Sequence, residues 1–318
     1  MLINAIEKAD TIAISGHTRP DGDCVGSCMG LYLYIKKNYP EKEVAVYLDE
    51  IPEPFRFVKC SDEIRHEIPE DKIYDLFILS DCGDPERLGF SGPLCRKAKR
   101  TFCVDHHISN QAWADENYVY PDASSASELV YDLLDYDKID KDVAECLYTG
   151  MVHDTGVFRH SCTHPSTLRA AASLMEKGID FTAIITKTFD EKSYAQNQIL
   201  GRALLESFCV FDGRVIFSSI DQKTMTFYQV DSKQLDGIVN QLKLTKGVDV
   251  AVFMYEVEPL VYKVSLRSTE AVDVSKLASG FGGGGHMRAA GFTMAGTTYD
   301  IINNLTRRLE PYLGVEEA

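Results

Sequence analysis

The turn Ile14-Ser-Gly-His-Thr-Arg-Pro-Asp-Gly-Asp-Cys-Val-Gly-Ser27 crowds one histidine and two aspartates together, and His17, Asp21 and Asp23 are residue types that hold cations. Asp21 and Asp23 flank a single glycine. Carboxylates that close repel unless something cationic sits between them, and hard oxygen donors joined by one imidazole suit Mn²⁺ or Mg²⁺. A helix N-cap uses the same residues, with Asp23 satisfying free N–H groups, and the turn alone leaves both readings open.

Further candidates follow along the chain. Asp81 ends the apolar run Leu-Phe-Ile-Leu-Ser, Asp105, His106 and His107 end Thr-Phe-Cys-Val, and Asp154 stands beside Thr155 and Gly156. Each has a plain alternative as a turn former, a satisfied polar side chain or a helix stop. Together they do not, because acids and imidazoles converging from several element ends would store large repulsion without a cation. The number of donors points to two ions.

The elements that must bring these side chains together are readable in the pattern. Ile12 and Ile14 predict a buried strand, Pro20 and Gly22 a turn, and residues 25–35 a helix, so the first trio lies at a strand's carboxyl end. Residues 43–49, 76–81 and 101–105 read as further strands, and 125–136 and 140–152 as helices, with Asp154 carried by a helix running through 150–156. Alternation of this kind predicts a parallel sheet, whose carboxyl edge is the ligand-binding edge. A helix over 191–208 reads as a connector. Strands over 215–220, 248–257 and 260–266 follow, the last two joined in a hairpin at Glu258-Pro259, with amphipathic helices over 233–244 and 299–313.

Composition narrows the function classes. The chain has 318 residues, 45% hydrophobic and 25% charged, enough for two domains with their own cores. Its start lacks the basic and apolar blocks of a signal peptide, and no apolar run approaches a membrane span, so a cytoplasmic protein with no membrane partner is expected. Nine cysteines without a Cys-x-x-Cys pair fit reduced thiols better than a disulfide framework or a zinc site, and Cys24 and Cys28 read as small buried residues of one helix face, not as ligands. A net charge of −15 argues against a sequence-independent grip on long nucleic acid. With no Gly-x-Ser-x-Gly elbow and no Walker-type glycine loop, acyl transfer and nucleotide-driven work have no support.

The ordered set His17-x-x-Pro-Asp-x-Asp with Gly26-Ser27, Asp81, Asp105-His106-His107 and Asp154 resembles the motifs of the DHH-family phosphoesterases. Val264-Ser-Leu-Arg-Ser268 and Gly282-Gly-Gly-Gly-His-Met-Arg-Ala-Ala-Gly291 are similar to the DHH-associated C-terminal domain. Within that family the layout is similar to small bacterial oligoribonucleases, or nanoRNases, that also remove a phosphate from adenosine 3′,5′-bisphosphate. The resemblance implies an α/β fold in two parts: a parallel-sheet, metal-binding domain over 1–190, a connector over 191–209, and a smaller mixed-sheet domain over 210–318, with a cleft between the two domains.

It also implies a binuclear centre of two divalent ions, Mn²⁺ with Mg²⁺ as the alternative. His17, Asp21 and Asp81 would hold one ion and Asp23, Asp81, His106 and Asp154 the other, Asp81 bridging. Asp105 would orient an imidazole, and His107 would face the substrate phosphate or support the site. A glycine run on composition alone reads as a flexible loop. With Arg267 beside it, the resemblance makes Gly283, Gly284, Gly285 and His286, together with Arg267 and Ser268, a phosphate grip, while Arg288 reads as a surface residue.

The implied activity is manganese-dependent exonuclease hydrolysis of short oligonucleotides to nucleoside 5′-monophosphates, with adenosine 3′,5′-bisphosphate as a further substrate. Alternatives are hydrolysis of linear or cyclic dinucleotides, an inorganic pyro- or polyphosphatase, and a non-catalytic nucleotide-binding regulator. Assembly into a homodimer stays open.

Overall fold

The four strands expected from the apolar runs, joined by a fifth that is only half-buried, form one sheet in a computed structural model that describes residues 1–313. Its strands are β1 (Thr11–Ser15), β2 (Glu43–Tyr47), β3 (Leu76–Ser80), β4 (Thr101–Asp105) and β5 (Glu116–Val119). They lie in the order β2-β1-β3-β4-β5, and every pairing is parallel. Both faces are covered, so alternate residues serve different cores. Ile12, Ile14, Ile78 and Val104 join the side packed by the Gly22–Asn38 and Lys141–Asp154 helices, while Ala13, Phe77, Leu79 and Cys103 face a smaller cluster around Tyr74 and Leu94.

The strand order has a chemical consequence. From β1 the chain crosses to β2 on one side and from β3 to β4 on the other, so the connections leaving these two paired strands run in opposite directions. That topological switch point opens a crevice at the sheet edge. The turn after β1 carries His17, and the residue after β3 is Asp81.

One carboxylate ties the opposite ends of the same strands. Asp75 Oδ2 accepts from the backbone N–H of Asp10 (3.1 Å) and Thr11 (3.0 Å) and from the Thr11 hydroxyl, and Oδ1 meets Lys99 at 2.6 Å. The Lys99 and Thr11 hydrogen bonds hold its carboxyl down at about 2. A carboxylate lowered on folding contributes stability above its ordinary range and loses it as pH falls through the folded value. The Lys99 pair is screened by solvent, so Asp75→Ala is expected to cost about 1 to 2 kcal/mol at neutral pH, mainly through the N–H groups left unpaired. The part of the difference that depends on the ionised carboxylate should shrink as pH falls from 3.8 through about 2, while the part due to the unpaired N–H groups persists; urea titrations at pH 7 and pH 2.5 check both.

The chain divides into two compact units, Met1–Glu191 and Lys192–Ala318. In the second, β6 (Phe208–Val210), β7 (Val215–Ile220), β8 (Val250–Glu258), β9 (Val261–Ser268), β10 (Gly284–His286) and β11 (Ala289–Ala295) form one sheet in the order β10-β11-β9-β8-β7-β6. Only β7 and β8 pair in parallel, which makes the sheet mixed. The Thr298–Leu313 helix buries Ile301, Leu305 and Leu309 on one face, and Ile199, Ala203 and Leu242 cover the other.

Several boundaries differ from the sequence reading. The helix expected over 233–244 breaks: Ser232–Leu235 is a 3-10 turn and Gly237 adopts φ +87°, so the α-helix runs only over Ile238–Lys243. The expected 191–208 helix shortens to Tyr194–Leu205, opened by a Ser193/Gln196 capping box, and its Ile199 and Ala203 are buried in the second unit's own core. The 125–136 helix ends at Leu133. Among the described residues no helix is long and apolar enough to cross a membrane.

Candidate metal centre

Each acidic or imidazole side chain at the sheet edge is held by local backbone chemistry. Asp21 is the N-cap of the Gly22–Asn38 helix: its Oδ1 accepts from the N–H of Asp23 and Cys24, both at 3.1 Å. The cap role expected of Asp23 therefore belongs to Asp21 in its own helix. Asp23, fully buried, reaches instead to the Ala126–Leu133 helix, where Oδ2 accepts from Ala126 N–H (2.6 Å) and Oδ1 from Ser127 N–H (2.9 Å). Free N–H groups at a helix start stabilise negative charge, which helps keep a carboxylate in a dry place.

Asp81 is the centre of the arrangement. It is 2% exposed, sits at φ +55°, a strained conformation for a residue with a Cβ, and its Oδ1 is buried with no hydrogen-bond partner. His17 Nε2 lies 3.4 Å from Asp81 Oδ2, and His106 Nε2 lies 3.5 Å from Oδ1. His17 Nε2 is also 3.7 Å from Asp21, and His106 Nε2 is 3.1 Å from Asp154 and 3.9 Å from Asp23. Asp154 is the last residue of the Lys141–Asp154 helix, and Gly156 at φ +55° turns the chain away behind it.

The electrostatics follow from this crowding. Burial alone would lower both imidazoles, but the carboxylates of Asp21 and Asp81 push His17 up to about 11, and those of Asp154 and Asp81 push His106 up to about 12. Burial, then the charges of Asp81 and Asp154, push Asp23 well above the carboxylate range. Four carboxylates share two imidazoles, and the cluster calls for positive charge.

The donor set fits divalent ions. His17 Nδ1 lies 2.8 Å from Thr18 O, so a proton there leaves the Nε2 lone pair facing the acids. Two groupings place donor atoms within 4.8 Å of one another around the Asp81–His106 half: Asp81, His106 and His107, and Asp23, His106 and Asp154. A third is His17, Cys24 and Asp81. The unpartnered Asp81 oxygen is the feature a cation would satisfy.

Asp105 stands behind this group. Fully buried, it accepts from His107 Nδ1 at 2.7 Å and from Asn110 Nδ2 at 2.7 Å. Of the two adjacent histidines it therefore touches His107 and not His106, whose Nε2 points to the acids.

Sequence reasoning missed three supporting residues. Asn110 fixes Asp105, but nothing in its surrounding turn marks it. Ser127, with a buried hydroxyl lacking a partner, sits beside Asp23 and reads as ordinary core helix. His153 lies between the rings of Phe55 and Phe189, its Nε2 2.8 Å from Thr188 Oγ1. Burial lowers it to about 4, and a side chain at Gly22 would collide with its ring. It backs the Asp21–Asp23 turn as a neutral wall.

In the second unit the glycine run is a strand, not a loop: Gly284, Gly285 and His286 pair with Gly291, Ala290 and Ala289. A Cβ at Gly283 would strike Gly291 O, and one at Gly285 would come 2.5 Å from Ala289 O, so these glycines serve close packing; Gly284 faces open space. Arg267 and His286 both register with Ala289, one on each side, and directly opposed residues share a sheet face. Leu266 and Ala290 belong to the other face. Arg267 is partly buried, with Nε 2.9 Å from Asn240 Oδ1, and His286 is exposed. Ser268 corrects the expected set: it is buried and its hydroxyl donates to Val272 O at 2.7 Å, which serves the fold. Arg288 is exposed and paired with Glu270.

Residues 11–151 match the DHH family, N-terminal domain, and residues 212–313 match the DHHA1 domain. The chain is 28% identical to the bifunctional oligoribonuclease and PAP phosphatase NrnA of Thermus thermophilus, over 91% of this chain and 86% of that one. It is 30% identical to the probable bifunctional oligoribonuclease and PAP phosphatase NrnA of Streptococcus mutans, over 95% and 94%. A crystal structure of an exopolyphosphatase-related protein from Bacteroides fragilis superposes with a TM-score of 0.86 at 26% identity, covering 98% of this chain and 95% of that one.

Proposed function

Because this chain belongs to the DHH family of phosphoesterases, with a DHHA1 domain following, we propose that it hydrolyses the phosphodiester bonds of short oligonucleotides from one end, releasing nucleoside 5′-monophosphates. In the same reading it removes a phosphate from adenosine 3′,5′-bisphosphate. The observation that carries the proposal is Asp81, buried at the switch point with an unpartnered oxygen between two imidazoles. Relatives named for both activities support the choice of substrate.

His17, Asp21 and Asp81 would hold one divalent ion, and Asp23, Asp81, His106 and Asp154 a second, with Mn²⁺ the proposed metal. When bound, such a pair lowers the pKa of an attacking water and neutralises charge that develops on the phosphoryl oxygens. The protein's own part is positional. Helix-start N–H groups fix Asp23, the Asp21 cap fixes the turn, and Asp105 with Asn110 sets the His107 ring and favours its protonated form, in which His107 Nε2 can donate to a phosphoryl or leaving oxygen. Arg267, His286 and the bare Gly284 backbone are the proposed contacts to substrate phosphate, without Ser268. Nine thiols in the free state fit a cytoplasmic setting.

Length dependence tests the substrate. Each phosphate beyond the first few meets a protein of net charge −15, felt within a screening distance of about 8 Å at physiological salt. The expected result is a kcat/KM highest for roughly two to five nucleotides and lower for a strand of about 20, with added salt narrowing the gap. Hydrolysis of a 5′-labelled RNA ladder at two salt concentrations and fixed Mn²⁺ measures it. Rates that rise with length would overturn the short-substrate reading.

A further inference from the structure

The proposed metal centre contains a donor of a different kind. Cys24, in the first turn of the Gly22–Asn38 helix, is fully buried, and its Sγ lies within 4.8 Å of a His17 ring nitrogen and an Asp81 oxygen, which lie equally close to each other. Two further observations bear on that sulfur. Asp81, 2% exposed, turns Oδ2 to within 3.4 Å of His17 Nε2 while its unpartnered Oδ1 faces His106 and His107, and Cys24 Sγ donates a long hydrogen bond, 3.9 Å, to His17 O, so its lone pairs are uncommitted. Its place is also fixed by close packing. A Cβ on Gly16 would strike it, with Ser80 O and Cys28 Sγ at 2.9 and 3.2 Å from the same point, so the glycine leaves the room the sulfur occupies.

We propose that His17, Cys24 and Asp81, with Asp21 as the fourth donor, form a mixed nitrogen, sulfur and oxygen site that captures thiophilic divalent ions of the Zn²⁺ class through the Cys24 sulfur. This rests on the metal-centre reading above and goes beyond it, since a site of hard donors alone has no such selectivity. Around one tetrahedral zinc the donor atoms stand roughly 3.3 to 3.8 Å apart, so closing the present group asks for side-chain movements of about 1 Å or less. Asp21 Oδ2 stands 3.7 Å from His17 Nε2 and is the side chain proposed to swing in as the fourth donor. On capture the sulfur–metal bond forms, the S–H bond breaks, and the proton passes to buffer. Mn²⁺, which favours oxygen and imidazole, leaves the thiol protonated. Four protein donors also fill the tetrahedral shell and leave no open position, the condition of a structural and not a catalytic zinc site. The inference therefore carries a functional corollary: Zn²⁺ competes with Mn²⁺ here and closes the half-site to chemistry.

Co²⁺ is the probe, because bonding to thiolate gives it an intense near-ultraviolet charge-transfer band that nitrogen and oxygen donors do not produce. The full chain and its Cys24→Ala, Cys24→Ser and Cys28→Ala variants are titrated anaerobically with Co²⁺, then with Zn²⁺ in competition, and separately with Mn²⁺ followed by electron paramagnetic resonance. The band is expected in wild type and Cys28→Ala, abolished by Zn²⁺, and lost in both Cys24 variants. Zn²⁺ affinity should fall about tenfold or more in Cys24→Ala, while Mn²⁺ affinity changes by less than about threefold. A band that persists without Cys24, or its absence from wild type that still binds Mn²⁺, overturns the proposal and leaves the metal centre standing. Failure to bind any of the three ions overturns both.

Discussion

Asp81→Asn is expected to abolish bound Mn²⁺ at both positions and to lower kcat/KM by roughly 10³-fold or more, because one side chain faces both imidazoles and both sets of acids. Asparagine suits the test. It keeps the shape of the side chain and is among the few residues that tolerate φ near +55°, so the strained backbone at the end of β3 is preserved while the charge is removed. A proposed ligand at the helix rim gives a useful contrast: Asp21 is largely exposed, caps its own helix and lies 3.7 Å from the His17 ring, so Asp21→Asn should weaken one ion and be rescued in part by excess Mn²⁺. Isothermal titration gives the stoichiometry, and turnover on a diribonucleotide gives the rate. Two ions bound to Asp81→Asn, with turnover within tenfold of wild type, would refute the bridging assignment.

Gly26→Ala is expected to damage both stability and activity, although helix propensity points the other way. In the interior of the Gly22–Asn38 helix, alanine should gain about 1 kcal/mol over glycine. The added Cβ, however, would lie 2.5 Å from Cys146 O and 2.8 Å from Gly150 N, backbone atoms of the Lys141–Asp154 helix that no rotamer change can move. Forcing the helices apart costs about 3 kcal/mol, so sterics win by about 2 kcal/mol and Tm should fall on the order of 4 to 8 °C. The separation also matters chemically. Asp23 lies one turn before Gly26, and Asp154 one turn after Gly150, so any spreading moves two proposed ligands apart, with roughly a 10²-fold loss in turnover. Calorimetry and Mn²⁺-supported turnover test this; an unchanged or raised Tm would show that the crossing yields more easily than the backbone contact implies.

The α/β class and the parallel first sheet were legible because β1, β3 and β4 are apolar runs buried on both faces and punctuated by charged residues. The same punctuation marks His17, Asp81 and the Asp105–His107 triplet as edge residues, which is why their convergence could be read. What could not be read is which carboxylate caps which helix. Asp21 and Asp23 differ only in where a backbone N–H waits for them, and for Asp23 that group lies on a helix starting at Ala126. The short edge strands β5, β6 and β10 were missed for a related reason: Glu116–Val119 and Gly284–His286 lack an apolar alternation, and only their neighbours make them strands. At Ser268 the residue type was compatible with phosphate binding, but burial against Val272 O gave the hydroxyl to the fold. The break at Gly237 was visible as a glycine and lost to the amphipathic pattern on either side of it.

The row formed by Arg267, Ala289 and His286 has an evolutionary consequence. It crosses three strands at the margin of the second sheet, on the face away from Leu266 and Ala290, and ends on the outermost strand. Substitutions at His286, or at Gly284 with its open surroundings, change what that margin presents without disturbing a buried neighbour. Several residues around Asp81 have less latitude, since Asp21 caps a helix, Asp23 holds the start of another and Asp105 fixes the His107 ring. If Arg267 and His286 contact substrate as proposed, ligand preference can change along that one sheet margin while the donor cluster around Asp81 stays as it is.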